Sequence, residues 1–373
     1  MATLTAMVPS TASSTRRRRY DAIAGLRAVA AATILIHHFL LVHTSVAGTL
    51  RYAHHLEVGV PIFFVISGFV LWLPWVDVAP AAINVRAVTR YARRRVARIV
   101  PAFWMALSLA VVARLSTGPI GDQPWTYYGF LQVYSMHTYF NGLSPAWSLG
   151  PEVTFYIVLP LLAVAAIRLG SKKSIAVGIG IFIGAFVFRY ISISDGAPAL
   201  SFTLAATIDW FVLGMVLASV TVRTPGLVAK LNPSVALATA VALVVLMGLL
   251  RLPWGVLSNN DHPTAAGWLT AHLIYGVIGL LACAAAVSAE DRTAGLVPRM
   301  LRNRGVLWLG TVSYGIYLWH VPAIFAVSKL VAHGWLPQAA PVQFGFVAVG
   351  TVAVASASWM LLERPILRSR FVR

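Results

Sequence analysis

Two residues of the first apolar segment, Arg27 and His38, have side chains that could do chemistry inside a membrane. They are eleven positions apart, so on an α-helix they would lie within about 20° of the same face with about 16 Å of rise between them. A guanidinium and an imidazole are costly at such depths unless they face protein, water or a ligand. A buried imidazole could act as a general base towards a hydroxyl, or as a nucleophile that carries the transferred group.

A second polar stripe begins a later apolar segment. Ser148, Glu152 and Tyr156 recur at every fourth position, which places them on one helix face about 12 Å long. A carboxylate at this depth is a functional candidate, whether it is charged beside a cation or neutral, and the alternative is a structural partner for another helix. Glu152 could orient His38 or bind acceptor hydroxyls, and the neighbouring hydroxyl groups could donate to an oxyanion.

Arginines crowd the segment between the second and third apolar runs. On a helix, Arg90, Arg94 and Arg98 would share one face, and Arg95 would fall beside Arg98. Two interpretations are open, namely an anchor for anionic lipid headgroups and a set of guanidinium groups that bind phosphate at the mouth of a cavity. Arg98 comes immediately before the apolar run, which favours the cavity mouth.

Several other polar residues admit both a functional and a structural interpretation. Ser67 and Gly68 stand among aromatic residues, where small residues either leave room for a bound donor or let two helices approach closely. Asp209 is another acid within an apolar run, and it could bind substrate or form a hydrogen bond between helices. Glu363 and Arg364, at the end of the last run, are expected to pair with each other at the cytoplasmic surface.

A further polar face is predicted near the C-terminus. Ser313, Tyr317 and His320 recur with helical spacing, and we consider them possible substrate-binding residues. Tyr317 could also donate to an oxyanion. His320 could contact a ligand, or it could satisfy a backbone carbonyl that Pro322 leaves without its helical donor.

These residues belong to a chain with the composition of a polytopic membrane protein. Of its 373 residues, 59% are hydrophobic and 11% are charged, and the mean hydropathy is +0.79, which is typical of that class. We expect an all-α integral membrane domain over 20–365, a disordered basic tail at 1–19, a second basic tail at 366–373 and no appended globular domain. About ten runs approach the length that a bilayer requires: 22–43, 57–76, 99–116, 146–167, 174–191, 201–221, 234–251, 267–288, 306–331 and 341–362.

The distribution of basic residues predicts the orientation. If both termini are cytoplasmic, all but five of the 29 Lys and Arg residues lie on the cytoplasmic side, as the positive-inside rule requires. The net charge of +18 is thereby explained without nucleic acid as a partner. We expect a multi-pass protein of the inner or plasma membrane, in contact with membrane lipids, with no metal and no bound cofactor.

Five motifs occur together and in order, and through them the chain resembles the acyltransferase 3 family of membrane-bound acyltransferases from residue 20 to residue 364. The motifs are Arg27 and His38 with their spacing, FFVISG at 63–68, RRVAR at 94–98 followed by Pro101, WSLGPEVTFY at 147–156, and SYGIYLWH at 313–320.

The resemblance implies an enzyme that moves an acyl group, such as acetyl, from cytoplasmic acyl-CoA to a hydroxyl of a carbohydrate, glycolipid or natural product of the cell envelope. In that family the histidine and arginine that match His38 and Arg27 are regarded as central to activity. Arg94, Arg95 and Arg98 would then hold the phosphates of acyl-CoA at the cytoplasmic mouth, with Ser67 and Gly68 nearby. Its pantetheine arm would run along the stripe towards His38.

Two questions stay open at this stage. His38 could be the general base or the carrier of the acyl group. The competing class of protein is a transporter or flippase for a sugar or lipid-linked solute, in which Arg27, Glu152 and Asp209 would bind substrate or relay protons. That alternative predicts movement of an intact solute with no need for CoA.

Overall fold

A computed structural model describes residues 20–43, 51–80, 83–253 and 264–372, and these residues form helices and turns without a β-strand. Nine helical segments in these ranges are long and apolar enough to cross a membrane. The all-α polytopic architecture is therefore confirmed. The tail predicted at 1–19 lies outside the described residues.

Each predicted span overlaps one long helix. We number these helices in chain order: α1 Asp21–Val42, α2 Gly59–Trp72, α3 Val85–Val112, α4 Ser144–Gly170, α5 Lys173–Ser194, α6 Leu204–Arg223, α7 Pro233–Leu249, α8 Ala265–Ala289, α9 Ser313–Ala332 and α10 Ala340–Ser358. The apolar helix α7 has 17 residues, or about 26 Å of rise, and is the tenth segment beside the nine longer ones.

Several boundaries differ from the prediction. The helix that was expected at 99–116 begins at Val85 and carries the arginine-rich segment on its first four turns, because the Asn84 side chain caps it by accepting from the Ala87 amide. The run at 306–331 is divided at Val312 into a short helix and α9. Between α4 and α5, Gly170 has a φ of 72°, a conformation that glycine adopts without steric cost.

The centre of the bundle is α2, which packs against α1, α6 and α8. A Cβ atom on Gly68 would lie 2.1 Å from the Phe211 carbonyl oxygen, and one on Gly214 would lie 2.0 Å from that of Val65. These two glycines therefore let α2 and α6 cross with their backbones in contact. In contrast, only 11% of the most apolar window of α5 is buried, so this helix faces lipid.

The start of α1 is fixed by the segment that precedes α9. The Glu290 carboxylate accepts from the Ala22 amide at 2.6 Å, and burial raises the pKa of this carboxyl to about 7. A Cβ atom on Gly25 would lie 2.0 Å from the Leu301 carbonyl oxygen, so only glycine fits there. These contacts set the height of α1, and with it the position of Arg27.

Candidate active site

One cavity collects most of the predicted site residues from five helices. Its empty space, including the open side, is about 760 Å³. The polar side chains that line it come from α1, α2, α3, α4 and α9: Arg27, Ser67, Arg95, Arg98, Ser148, Glu152, Tyr156, Tyr314 and Tyr317. Residues far apart in the chain therefore face one space, as the separate stripes of the sequence require.

Glu152 is held by two hydroxyl donors. Its Oε1 atom accepts from the Tyr156 hydroxyl at 2.5 Å and from the Ser67 hydroxyl at 3.0 Å. Tyr156 stands one helical turn after Glu152, whereas Ser67 reaches it from α2. The hydroxyl proton of Tyr156 is thus committed to the carboxylate, which ties α2 to α4 at the wall of the cavity.

Arg27 is oriented from behind by Ser313. Its Nε atom donates to the Ser313 hydroxyl oxygen at 3.2 Å, and that hydroxyl donates to the Gly310 carbonyl at 2.9 Å. The guanidinium carbon lies 5.3 Å from the ring centroid of Phe63, within the range of a cation–π contact. Because Ser313 takes Nε, the two terminal nitrogen atoms of Arg27 are the ones that can meet a ligand.

Arg98 has an acidic partner that differs from the one expected for it. One of its terminal nitrogen atoms is 3.8 Å from Oε2 of Glu363, whose side chain is 2% exposed. The expectation that Glu363 pairs with its neighbour Arg364 is therefore wrong, and Arg98 is its partner. The reason is local, since Trp359–Glu363 forms a π-helical turn that brings Glu363 to Arg98 and places the Trp359 ring 5.3 Å from the Arg98 guanidinium.

Arg95 and Arg94 differ in their surroundings although they are adjacent. The guanidinium carbon of Arg95 lies near two aromatic rings. It is 5.9 Å from the ring centroid of Tyr91 and 5.8 Å from the ring centroid of Tyr156. Arg94 points about 100° away on α3, and it is outside the lining of the cavity.

The cavity lining carries three guanidinium groups and one carboxylate. Arg98 is partly balanced by Glu363 behind it, yet the space itself keeps an excess of positive charge. In a site screened from water, fixed positive charges with planar donors favour anions that can accept two hydrogen bonds from one guanidinium. Phosphate groups have that geometry.

Two hydroxyl groups in the lining of the cavity, those of Ser148 and Tyr317, form a hydrogen bond with each other. The Ser148 and Tyr317 hydroxyl oxygens are 2.8 Å apart, and the Tyr317 hydroxyl donates to the Pro145 carbonyl. Ser148 is therefore the donor within the pair. Since the Tyr317 proton is already used, this tyrosine is not a free donor for an oxyanion in this state.

His38 lies next to His320 and outside the lining of the cavity. Its Nδ1 atom is 3.0 Å from the Ile34 carbonyl oxygen and 3.3 Å from Nε2 of His320. His320 is fully buried, and its ring centroid is 6.0 Å from that of Tyr317. Among the described residues, the cavity lining reaches Tyr317 but not His38.

Asp209 lies apart from this cavity. Its Oδ2 atom is 2.7 Å from Nε2 of His272, and both side chains are 1% exposed. Arg189 is buried nearby on α5, where it donates to the Ser201 carbonyl at 2.8 Å. The sequence analysis did not single out His272 or Arg189, although a histidine and an arginine within apolar runs are the same kind of signal as Asp209.

Tyr314 is a lining residue that the sequence analysis also did not single out. Its hydroxyl donates to the Ile99 carbonyl at 2.9 Å, so it joins α9 to α3 beside Arg98. The signal was its position directly after Ser313, on the neighbouring face of α9. Within the described ranges, no cluster of three or more His, Cys, Asp or Glu side chains could hold a metal ion.

Comparison with known proteins identifies the class of protein. The family model described as an acyltransferase domain matches residues 20–360. The chain is 29% identical to the exopolysaccharide production protein ExoZ of Rhizobium meliloti, over 84% of this chain and 92% of the relative. It is 26% identical to nodulation protein 10 of Rhizobium leguminosarum bv. viciae, over 84% of this chain and 82% of the relative.

A more distant relative is named for its activity. The peptidoglycan O-acetyltransferase OatA of Listeria monocytogenes is 22% identical over 95% of this chain, which spans 57% of the relative's length. No solved structure matches the chain.

Proposed function

The chain belongs to the acyltransferase 3 family and is an O-acyltransferase of the membrane, and we propose that its donor is cytoplasmic acyl-CoA and its acceptor a carbohydrate hydroxyl. The enzyme class disfavours the transporter alternative. The observation that carries the proposal is the cavity in which Arg27, Arg95 and Arg98 face one space, because a CoA thioester brings phosphate groups to such donors.

The donor lies along the stripe between Arg27 and His38. Its phosphates bind at the arginines, and its pantetheine arm extends towards Tyr317, along the roughly 16 Å of helix rise that separates Arg27 from His38. The acetyl thioester then arrives at the histidine end. Acetyl is the acyl group that we propose, because OatA is named as an O-acetyltransferase.

In the reaction that we propose, His38 takes the proton of the acceptor hydroxyl as its oxygen attacks the thioester carbonyl carbon. The tetrahedral oxyanion collapses with cleavage of the carbon–sulfur bond, and the imidazolium returns the proton to the CoA thiolate. If His38 carries the acyl group instead, it attacks the same carbon first and the hydroxyl attacks second. Glu152 binds acceptor hydroxyls in either case.

The acceptor is a carbohydrate of the cell envelope. The names of ExoZ and OatA refer to exopolysaccharide and to peptidoglycan, which supports a sugar polymer or its lipid-linked precursor. We place the arginine-rich end of the bundle in the cytoplasm of a multi-pass inner or plasma membrane protein, since basic residues concentrate there. Donor and acceptor then enter from opposite sides.

The test uses the purified protein in liposomes with radiolabelled acetyl-CoA and an envelope glycan. We expect wild type to release CoA and label the glycan, and His38→Ala to do neither while it elutes as a folded protein. Unaltered turnover in His38→Ala would show that the assignment of His38 is wrong. A rapid quench without acceptor separates the two roles, because only an acyl carrier yields labelled protein.

A further inference from the structure

The contact between His320 and His38 joins two helices at the end of the proposed reaction path. Nε2 of His320 on α9 is 3.3 Å from Nδ1 of His38 on α1, and the ring centroids are 4.9 Å apart with planes inclined at 67°. His320 is fully buried. A polar side chain without access to water is stable only when it has hydrogen-bond partners.

The neighbouring carbonyl groups fix where the protons are. Nδ1 of His38 is 3.0 Å from the Ile34 carbonyl oxygen, and Nδ1 of His320 is 3.2 Å from the Ile316 carbonyl oxygen. Because a carbonyl oxygen only accepts, each Nδ1 carries the proton of its neutral imidazole. Nε2 of His320 therefore presents a lone pair to the Nδ1–H group of His38, and Nε2 of His38 is unprotonated.

The opposite arrangement satisfies fewer groups. If Nε2 of His320 carried the proton and donated to His38, both Nδ1 atoms would face carbonyl oxygens with lone pairs. That would leave Nδ1 of His320 as a buried acceptor without a donor, facing the lone pairs of the Ile316 carbonyl, at a cost of about 1–3 kcal/mol.

The hydrogen bond from Nδ1 to the carbonyl four residues earlier also occurs at other histidines of this chain, whereas the hydrogen bond between the two imidazole rings is particular to His38 and His320 among the histidine contacts that the structure describes. His43 and His333 also place Nδ1 against the carbonyl four residues earlier, at 2.9 and 2.7 Å. The carbonyl that Pro322 leaves without its helical donor belongs to Leu318, and His320 contacts Ile316 instead. Relief of a proline kink therefore does not account for His320.

We propose that His320 is a positioning residue that, together with the Ile34 carbonyl, holds His38 in the tautomer with a free Nε2 atom. This inference rests on the proposed role of His38. When His38 accepts the hydroxyl proton at Nε2, its Nδ1–H group stays on His38 and its bond to Nε2 of His320 strengthens, because the donor is now part of a cation. The proton on Nε2 then leaves with the CoA thiolate. The same tautomer serves an acyl carrier, since Nε2 is also the nucleophilic atom.

The test compares substitutions of similar size. In His320→Gln the side-chain oxygen can take the place of the Nε2 lone pair, whereas His320→Met fills the space with no comparable acceptor. Loss of the correct tautomer in a hydrolytic triad costs about 10⁴-fold in kcat, and we expect His320→Met to lose about 10²-fold or more. KM for acetyl-CoA should change less than about threefold, and His320→Gln should recover at least tenfold of the loss.

A second variant and two controls keep the outcome decisive. His320→Asn keeps a polar group near the position of Nδ1 but does not reach His38, so we expect the same loss of turnover as in His320→Met. It takes the place of His320→Met in the comparison if the methionine variant folds poorly. His43→Gln alters a histidine of the same local geometry outside the pair and should keep wild-type turnover. Full activity in His320→Met, or equal losses in the Gln and Asn variants, would overturn the inference. A parallel His38→Ala sample tells this failure apart from failure of the proposed function.

Discussion

The carboxylate of Glu152 has one oxygen committed to two hydroxyl groups, Tyr156 and Ser67. Such an arrangement fixes the plane of the carboxylate, and it uses the Tyr156 hydroxyl, which is one of the donors that the sequence suggests for an oxyanion. The terminal nitrogen atoms of Arg27, whose Nε atom alone is held by Ser313, are at the other end of the proposed path from His38, so they are suited to a phosphate oxygen of the donor.

The hydrogen bond from Tyr156 can be tested with a matched tyrosine. We expect Tyr156→Phe to lower acetyl-CoA turnover about tenfold, because a hydrogen bond to a charged group is worth roughly 1.5–3 kcal/mol and Ser67 still holds Glu152. Tyr91→Phe is the control, since its ring faces Arg95 at 5.9 Å while its buried hydroxyl has no hydrogen-bond partner within the described part of the chain. Equal losses in both variants would contradict the role of the Tyr156 hydroxyl.

At the scale of the helix, α3 carries arginines with two kinds of surroundings. Arg95 and Arg98 line the cavity, whereas Arg86, Arg90 and Arg93 are exposed on the same helix. This division separates the two interpretations that charge spacing alone left open, because the exposed set can serve lipid headgroups while the inner set faces a bound molecule.

The position of Arg95 and Arg98 in the cavity lining predicts that substituting either one selectively lowers the affinity for the donor. Arg95→Ala and Arg98→Ala should each weaken CoA binding by roughly 10- to 100-fold, as expected for charge-assisted hydrogen bonds worth about 1.5–3 kcal/mol. Arg90→Ala should bind CoA like wild type. The measurement is isothermal titration with CoA in detergent, and equal affinity in all four proteins would leave only the lipid anchor.

The π-helical turn at the end of α10 predicts a second effect on the donor. Glu363→Gln removes the carboxylate 3.8 Å from Arg98, and we expect KM for acetyl-CoA to rise about threefold. The reason is that Arg98, which is 19% exposed, loses the partner that orients its guanidinium, and a pair with one partly exposed member is worth roughly 0.2–1 kcal/mol. Arg364→Gln is the control, with KM unchanged. If Arg364→Gln had the larger effect, the neighbouring ion pair would be the correct one after all.

Hydropathy and helical spacing predict the elements but not their partners. The positions of the spans and the common stripe of Arg27 and His38 follow from residues close in sequence. Glu363, in contrast, reaches Arg98 because the chain forms a π-helical turn at the end of α10. No periodic pattern in the sequence predicts such a turn. The division at Val312 likewise depends on Gly310 meeting the Ala24 carbonyl, a contact between distant segments that only the folded chain creates.

At the scale of the molecule, two of the polar clusters that the described residues form within the apolar bundle are separate from each other. One lines the cavity among α1, α2, α3, α4 and α9, and the other joins Asp209 on α6 to His272 on α8. Because Trp210 stacks on His272 at 4.2 Å and packs against Phe64, aromatic rings separate the second cluster from the cavity. This separation favours the structural interpretation of Asp209 over substrate binding.

Substitution of Asp209 in the second cluster is predicted to lower stability without lowering catalytic turnover. Asp209→Ala should lower the free energy of unfolding by roughly 3–5 kcal/mol, since it leaves a buried partner uncompensated. Turnover per folded molecule should stay within about twofold of wild type at low temperature, because the cavity is untouched. Asp195→Ala, an exposed acid at the end of α5, is the control. Thermal unfolding in detergent decides, and a raised KM for the acceptor with unchanged stability would instead indicate substrate binding.

The contact between Ser148 and Tyr317 bears on how much of the donor thioester is lost by hydrolysis. Tyr317 lines the cavity and its ring centroid is 6.0 Å from that of His320, so on the proposed path the thioester has to pass this tyrosine before it reaches His38. A donor that waits in the cavity is thus kept apart from the proposed base, and we expect little hydrolysis of the proposed acetyl-CoA donor when the proposed glycan acceptor is absent.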